Sequence, residues 1–217
     1  MKLLISASLL LLTSPLMAGD YMAGQDQPPV LNGCVLEQNA KCEGVDLQGA
    51  DLSNMDLRGA NFKGANLSGA NLNHTSLRGA NLDGANLDGV SGYRLQAYRA
   101  TMRGAKVRDA KLQGMQAEYL FAQGADFSES DLTGANFSFS RFSGARLQGS
   151  NLSFSNFEIA WLPKADFQGA NLHGANLQEA KLGLANLADA NLTNSRIHYA
   201  TFEGTYMEGC TGCPFDW

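Results

Sequence analysis

Four cysteines hold most of the covalent chemistry open to this 217-residue chain: Cys34, Cys42, Cys210 and Cys213. Cys210 and Cys213 have the two-residue spacing of a redox dithiol, and four thiolates brought together could hold zinc. No alternating strand and helix pattern of the thioredoxin kind surrounds the pair, which speaks against a redox centre. The three histidines, His74, His173 and His198, have no cysteine or carboxylate partner at ligand spacing. They read as surface residues, so no metal or cofactor is expected. Glycine-rich phosphate loops, nucleophile elbows and zinc signatures are absent from the sequence. The chain is therefore not expected to be an enzyme. What remains is recognition chemistry, carried by aromatic and arginine side chains whose grouping depends on how the chain folds.

The elements that place them are set by a repeat. From Leu47 to Met207 every fifth residue is large and apolar: 29 of 33 positions hold Leu, Phe, Ile, Val or Met. Two residues earlier, from Val45 to Thr205, the series holds Ala 20 times and Ser five times. A period of five fits neither the 3.6-residue turn of a helix nor the two-residue alternation of a strand. It fits one side of a square. Four such sides make a coil in which residue n lies beneath residue n+20, with one large and one small side chain turned inward on each side. Coils would stack at about the inter-strand spacing, ~4.8 Å, giving a rod on the order of 40 Å long. The exceptions are Gly92, Ala97, Ala117 and Ala122. Leu95, Met115 and Leu120 precede the last three by two positions, so large and small residues have exchanged places. Gly92, flanked by Ser91 and Tyr93, marks the weakest repeat and a candidate kink.

Ala50-Asp51-Leu52, Ala60-Asn61-Phe62, Ala65-Asn66-Leu67, Ala170-Asn171-Leu172 and Ala175-Asn176-Leu177 resemble the signature of the pentapeptide-repeat family. The resemblance covers about residues 40 to 210. It implies an all-β fold, a right-handed quadrilateral β-helix, here of roughly eight coils. It says little about activity, because members of the family serve many ends. Some bind DNA gyrase with a rod about as wide as B-DNA, an alternative function for this chain. Glycine at the last position of many repeats, such as Gly49, Gly59 and Gly64, suits tight corners that need φ > 0. Stacked Asn151, Asn171 and Asn191 suit amide ladders between coils.

The ends depart from the repeat. Met1 and Lys2 followed by the apolar run Leu3 to Leu12 and by Ala18 read as a signal peptide over 1–18, too short to span a bilayer. Export to the periplasm or cell exterior is expected. Residues 19–44 read as a linker and cap, 45–209 as the repeat, and 210–217 as a second cap with Pro214, Phe215 and Trp217. A rod holds its ends far apart, whereas bridged Cα atoms lie within about 7 Å. That leaves Cys34–Cys42 and Cys210–Cys213 as the pairings, consistent with stapled caps in an oxidising compartment. It also excludes a four-cysteine metal site. The net charge of −5 argues against a general affinity for nucleic acid, and no membrane span follows the leader.

Stacking by twenty also maps the surface. Tyr119, Phe139 and Ile159 fall in one outward column, while Phe121, Arg141 and Trp161 fall in a second just around the corner. Tyr98, Pro163 and Tyr199 lie at the margins. Exposed aromatics with an arginine among them form a candidate recognition patch for an unknown protein partner or a second copy of the chain. Arg94, Arg99, Arg103, Lys106, Arg108 and Lys111 form a basic belt within about one coil; being spread over all four sides, it reads as solvated.

Overall fold

A computed structural model of the protein describes residues 27–214. The expected signal peptide at 1–18, and Phe215 and Trp217 of the second cap, lie outside the described residues. Within them, parallel bridges join each ladder residue to the one 20 positions on, without interruption from Lys41↔Asn61 to Asn191↔Thr211. Each rung is a reciprocal pair: the Leu47 N–H donates to the Asn66 carbonyl (2.7 Å), and the Asn66 N–H donates back to the Val45 carbonyl (2.9 Å). Ladder residues Lys41 and Cys42 precede the boundary drawn at 45, and Thr211 lies beyond 209. Cys42 fills an interior position as half of a disulfide, which a count of leucines overlooks.

A tight turn joins each side to the next, closed by bonds such as Ala50 N–H to the Leu47 carbonyl (3.1 Å). The third residue of every such turn, each fifth position from Asn39 to Gly209, has positive φ. Glycine occupies 18 of these positions and other residues the remaining 17, so the corner geometry is imposed by the coil and not by glycine alone.

The interior follows the two series read from the sequence. Leu52, Phe62, Leu132 and Phe157 are completely buried, as are the small residues Ala60, Ala135 and Ala160. Mid-rod phenylalanines stack from coil to coil, Phe137 on Phe157 with ring centroids 5.1 Å apart. Leu95, Met115 and Leu120 are fully buried beside Ala97, Ala117 and Ala122, as the volume exchange requires. The kink considered at Gly92 does not occur. Its N–H donates to the Lys111 carbonyl (2.7 Å), and the bridge Ser91↔Lys111 is intact. Leu112 of the next coil fills the missing volume, reaching within 2.7 Å of where a Cβ on Gly92 would sit.

The first coil is closed by a hairpin of β1 (Val30–Leu31) and β2 (Cys34–Val35). Asn32 and Gly33 form its turn with φ of 49° and 78°, the pairing that two-residue hairpin loops favour. Asn32 Nδ2 donates to the Asp46 carbonyl (2.6 Å), standing in for the coil that is missing below. The disulfide Cys34–Cys42, Cα atoms 5.3 Å apart, fastens this cap. Cys210–Cys213, Cα atoms 5.9 Å apart, closes a short loop at the other end.

Candidate interaction surface

Three sides of the square keep the polar ladder that the repeat prescribes. Asn176 Nδ2 donates to Asn156 Oδ1 (3.0 Å) and Asn186 Nδ2 to Asp166 Oδ1 (2.9 Å). The same side chains accept from the backbone two residues on, as Asn151 Oδ1 does from Ser153 N–H (3.2 Å). The amide ladder expected at Asn151, Asn171 and Asn191 is present, with bonds of 3.4 and 3.2 Å. The fourth side abandons this pattern. After Asn61 and Asn81, its ladder positions read Thr101, Phe121, Arg141, Trp161 and Lys181.

The corner beside that side departs too. Its left-handed position holds Arg99, Tyr119, Phe139, Ile159, Glu179 and Tyr199 in six successive coils, all with φ between 56° and 61°. Each of the other three corners has glycine at three or more of its corresponding positions. A left-handed conformation costs an ordinary residue roughly 1–2 kcal/mol, and β-branched or bulky side chains adopt it least readily. Glycine, which the same corner has lower down at Gly59 and Gly79, would relieve that cost at each of these six levels and is used at none of them.

The two departures enclose a shallow open groove of about 630 Å³, lined by Tyr119, Phe139, Ile159, Arg141, Trp161 and Gln123. The sequence-read residues come together here, except that Phe121 lies beneath Arg141, whose guanidinium carbon is 5.3 Å from its ring centroid. Tyr119 and Phe139 stack nearly parallel, with centroids 4.9 Å apart. Phe139, Ile159 and Trp161 remain 42%, 40% and 52% exposed, so the coil does not bury what it gathers. Gln123 Oε1 is shut off from solvent without a hydrogen-bond partner among the described residues.

The belt and the patch, separate in the sequence reading, are one feature on this side. Arg99 lies over both Tyr98 and Tyr119, at 5.3 and 5.6 Å, and Arg103 over Phe121 at 5.0 Å. Tyr98 packs edge-on against Tyr119 and also receives Arg78. The twenty-residue spacing of Arg99 and Tyr119 carried this signal; the eighteen-residue reach of Arg103 to Phe121 did not. The belt is partly answered by carboxylates one coil earlier. Arg103 pairs with Asp83 and Arg108 with Asp88, and the Arg108 hydrogen bond holds the Asp88 carboxyl below the usual range.

The other candidate residues are dispersed. His173 Nδ1 lies 2.8 Å from Thr193 Oγ1, while His74 and His198 pack on Tyr93 and Tyr199. Among the described residues, no group of three or more His, Cys, Asp or Glu could hold a metal ion. No helix among them is long and apolar enough to cross a membrane. The groove offers aromatic edges and guanidinium groups, a set suited to holding another surface.

The family model described as pentapeptide repeats, eight copies, matches residues 38–73, 60–91, 75–114, 121–149, 150–187 and 170–209. No curated protein matches the chain. Among solved structures, a trypsin-treated form of QnrB1, a plasmid-mediated fluoroquinolone resistance protein, is 22% identical, covers 77% of this chain and 88% of its own, and has a TM-score of 0.53. HetL, involved in heterocyst differentiation regulation in the cyanobacterium Nostoc sp. strain PCC 7120, is 27% identical over 80% of this chain and 91% of its own, TM-score 0.38. Rfr23 from the cyanobacterium Cyanothece 51142 is 34% identical, but the match spans 42% of this chain and 63% of that one, TM-score 0.42. The QnrB1 likeness bears on the fold, and the other two are too loose to add to it. With its unbroken five-residue register and four-sided ladder, the chain belongs to the pentapeptide-repeat family and folds as that family's right-handed quadrilateral β-helix.

Proposed function

We propose that this protein is an exported, non-enzymatic binding module that holds a protein partner against the side bearing Phe121, Arg141 and Trp161 and the corner bearing Tyr119, Phe139 and Ile159. The observation that carries this reading is the corner itself. Six successive residues sit in a backbone conformation that favours glycine, and none of them is glycine. Side chains kept at a conformational cost, and left exposed, are retained for contact outside the molecule. Export is supported by the leader-like residues 1–18 and by the pairing of all four cysteines in disulfides. The alternative of a DNA mimic that binds gyrase would call for acidic sides and a cytoplasmic protein. Arg99, Arg141 and Lys181, outside any ion pair among the described residues, give this surface the opposite sign.

Pull-down from an envelope fraction tests the reading, with the wild-type chain compared against Phe139→Asp and Trp161→Asp variants. Both variants should keep the wild-type circular dichroism and lose the captured partner. Undiminished capture by both would overturn the assignment. Recovery of the mature protein in the cytoplasmic fraction would overturn export.

A further inference from the structure

The bulky corner is self-complementary when read in reverse. From Arg99 upward it runs Arg99, Tyr119, Phe139, Ile159, Glu179, one residue per coil. We infer that a second copy of this chain packs against it antiparallel, with Phe139 on the two-fold axis. This deepens the binding role proposed above by naming one occupant of the corner. The operation sets Phe139 on its own mate, Tyr119 on Ile159, and Arg99 on Glu179 at both ends. One step further out, Tyr199, 68% exposed, meets Gly79, bulk against bare backbone. Such matching of residue i with j and of j with i is what a two-fold interface demands.

The charges at the two ends are free to serve it. Among the described residues, neither Arg99 nor Glu179 takes part in an ion pair. Arg99 is already positioned at the corner by its contacts over Tyr98 and Tyr119. Arg99 and Glu179 are four coils apart, about 19 Å at the inter-strand spacing, so two ion pairs would bracket the apolar centre. Like charges on the flanks are drawn aside. Glu118 and Glu158 would face one another across the axis, but Asn136 Nδ2 donates to Glu118 Oε1 (2.8 Å) and Asn176 Nδ2 to Glu158 Oε2 (3.4 Å), tying both back onto the neighbouring side. Arg141, which would approach its own mate, rests on Phe121. A contact along one edge is narrower than the roughly 800 Å² per partner of a standard interface, so the dimer should be weak and concentration-dependent.

Sedimentation equilibrium of the full chain with its disulfides intact tests the register. Wild type should associate to a dimer as concentration rises. Arg99→Glu and Glu179→Arg should each raise the dissociation constant at least about tenfold, since each places like charges together at both ends. Combining them should return it to within a few-fold of wild type. A double variant no tighter than the singles, or a wild type monomeric at every concentration reached, would overturn the inference. The two readings separate cleanly. A monomeric wild type whose Phe139→Asp variant still loses envelope capture leaves the proposed function standing and this inference refuted. Charge rescue with capture unaffected by Phe139→Asp and Trp161→Asp does the reverse.

Discussion

Ser130 stands where most repeats have alanine, and its hydroxyl is inserted into a turn of the coil below. Its Oγ donates to the Val107 carbonyl (2.6 Å) and accepts from the Ala110 N–H (3.0 Å). Ser155 occupies an equivalent interior position, yet its Oγ is buried with no hydrogen-bond partner among the described residues. Losing a buried hydrogen bond and leaving partners unmet costs about 1–3 kcal/mol, whereas removing an unmet group costs little. Chemical denaturation should therefore show Ser130→Ala destabilised by about that amount and Ser155→Ala unchanged or stabilised. Equal losses would show that the two hydroxyls are in equivalent surroundings. Asp126 provides a pH test. Burial pushes its carboxyl up, but hydrogen bonds from Arg146 and Ser128 outweigh that and leave it below the usual range. A depressed carboxyl contributes stability above the unfolded value, near 3.9, and loses it as pH falls through the folded value. Asp126→Asn should thus flatten the acid side of the stability–pH curve while leaving its shape near neutrality unchanged; an identical acid limb would contradict this account.

Each pentapeptide is a side and a corner, and the two were unequally legible. The sides could be read directly, because burial selects residue type: Leu52, Phe157 and Ala160 announce the interior by size alone. Even the exchanges at Ala97, Ala117 and Ala122 could be read, since volume is conserved within a layer. The corners were half legible. Gly49 or Gly64 signals positive φ, but Tyr119, Phe139 and Ile159 intrinsically prefer other conformations, and only the ladder around them forces the turn. The union of Arg99 and Arg103 with the aromatic rings depends on side-chain reach between coils, which residue order does not fix. Asparagine fills the same turn position at Asn39, Asn54 and Asn194 and tolerates the left-handed region well. Phe139→Asn should therefore stay within about 1 kcal/mol of wild type, relief of roughly 1–2 kcal/mol of backbone strain offsetting the lost partial burial. Leu132→Ala, fully buried in the same stretch of rod, should lose about 2–5 kcal/mol. Similar losses in the two variants would mean that Phe139 serves packing rather than display.

As a whole the molecule is a stack in which each coil is held by the coils above and below, so a side chain on one corner alters little beyond its own level. That independence is what lets one side and one corner diverge over six coils while the other three sides keep largely polar ladders. It also gives the surface its rigidity: Tyr119, Phe139 and Ile159 are held at successive coil spacings by backbone bonds of 2.9 to 3.0 Å, with no loop to rearrange on contact. Two disulfides close the ends, and the uneven distribution of charge puts Arg99 and Arg141, in no ion pair among the described residues, beside the aromatic rings of an otherwise acidic protein. The most direct measurement replaces Tyr119, Phe139 and Ile159 together by asparagine and follows denaturation and association on the same sample. The display account expects a midpoint close to wild type with association and partner capture lost. A large drop in stability, or partner capture unchanged, would contradict it.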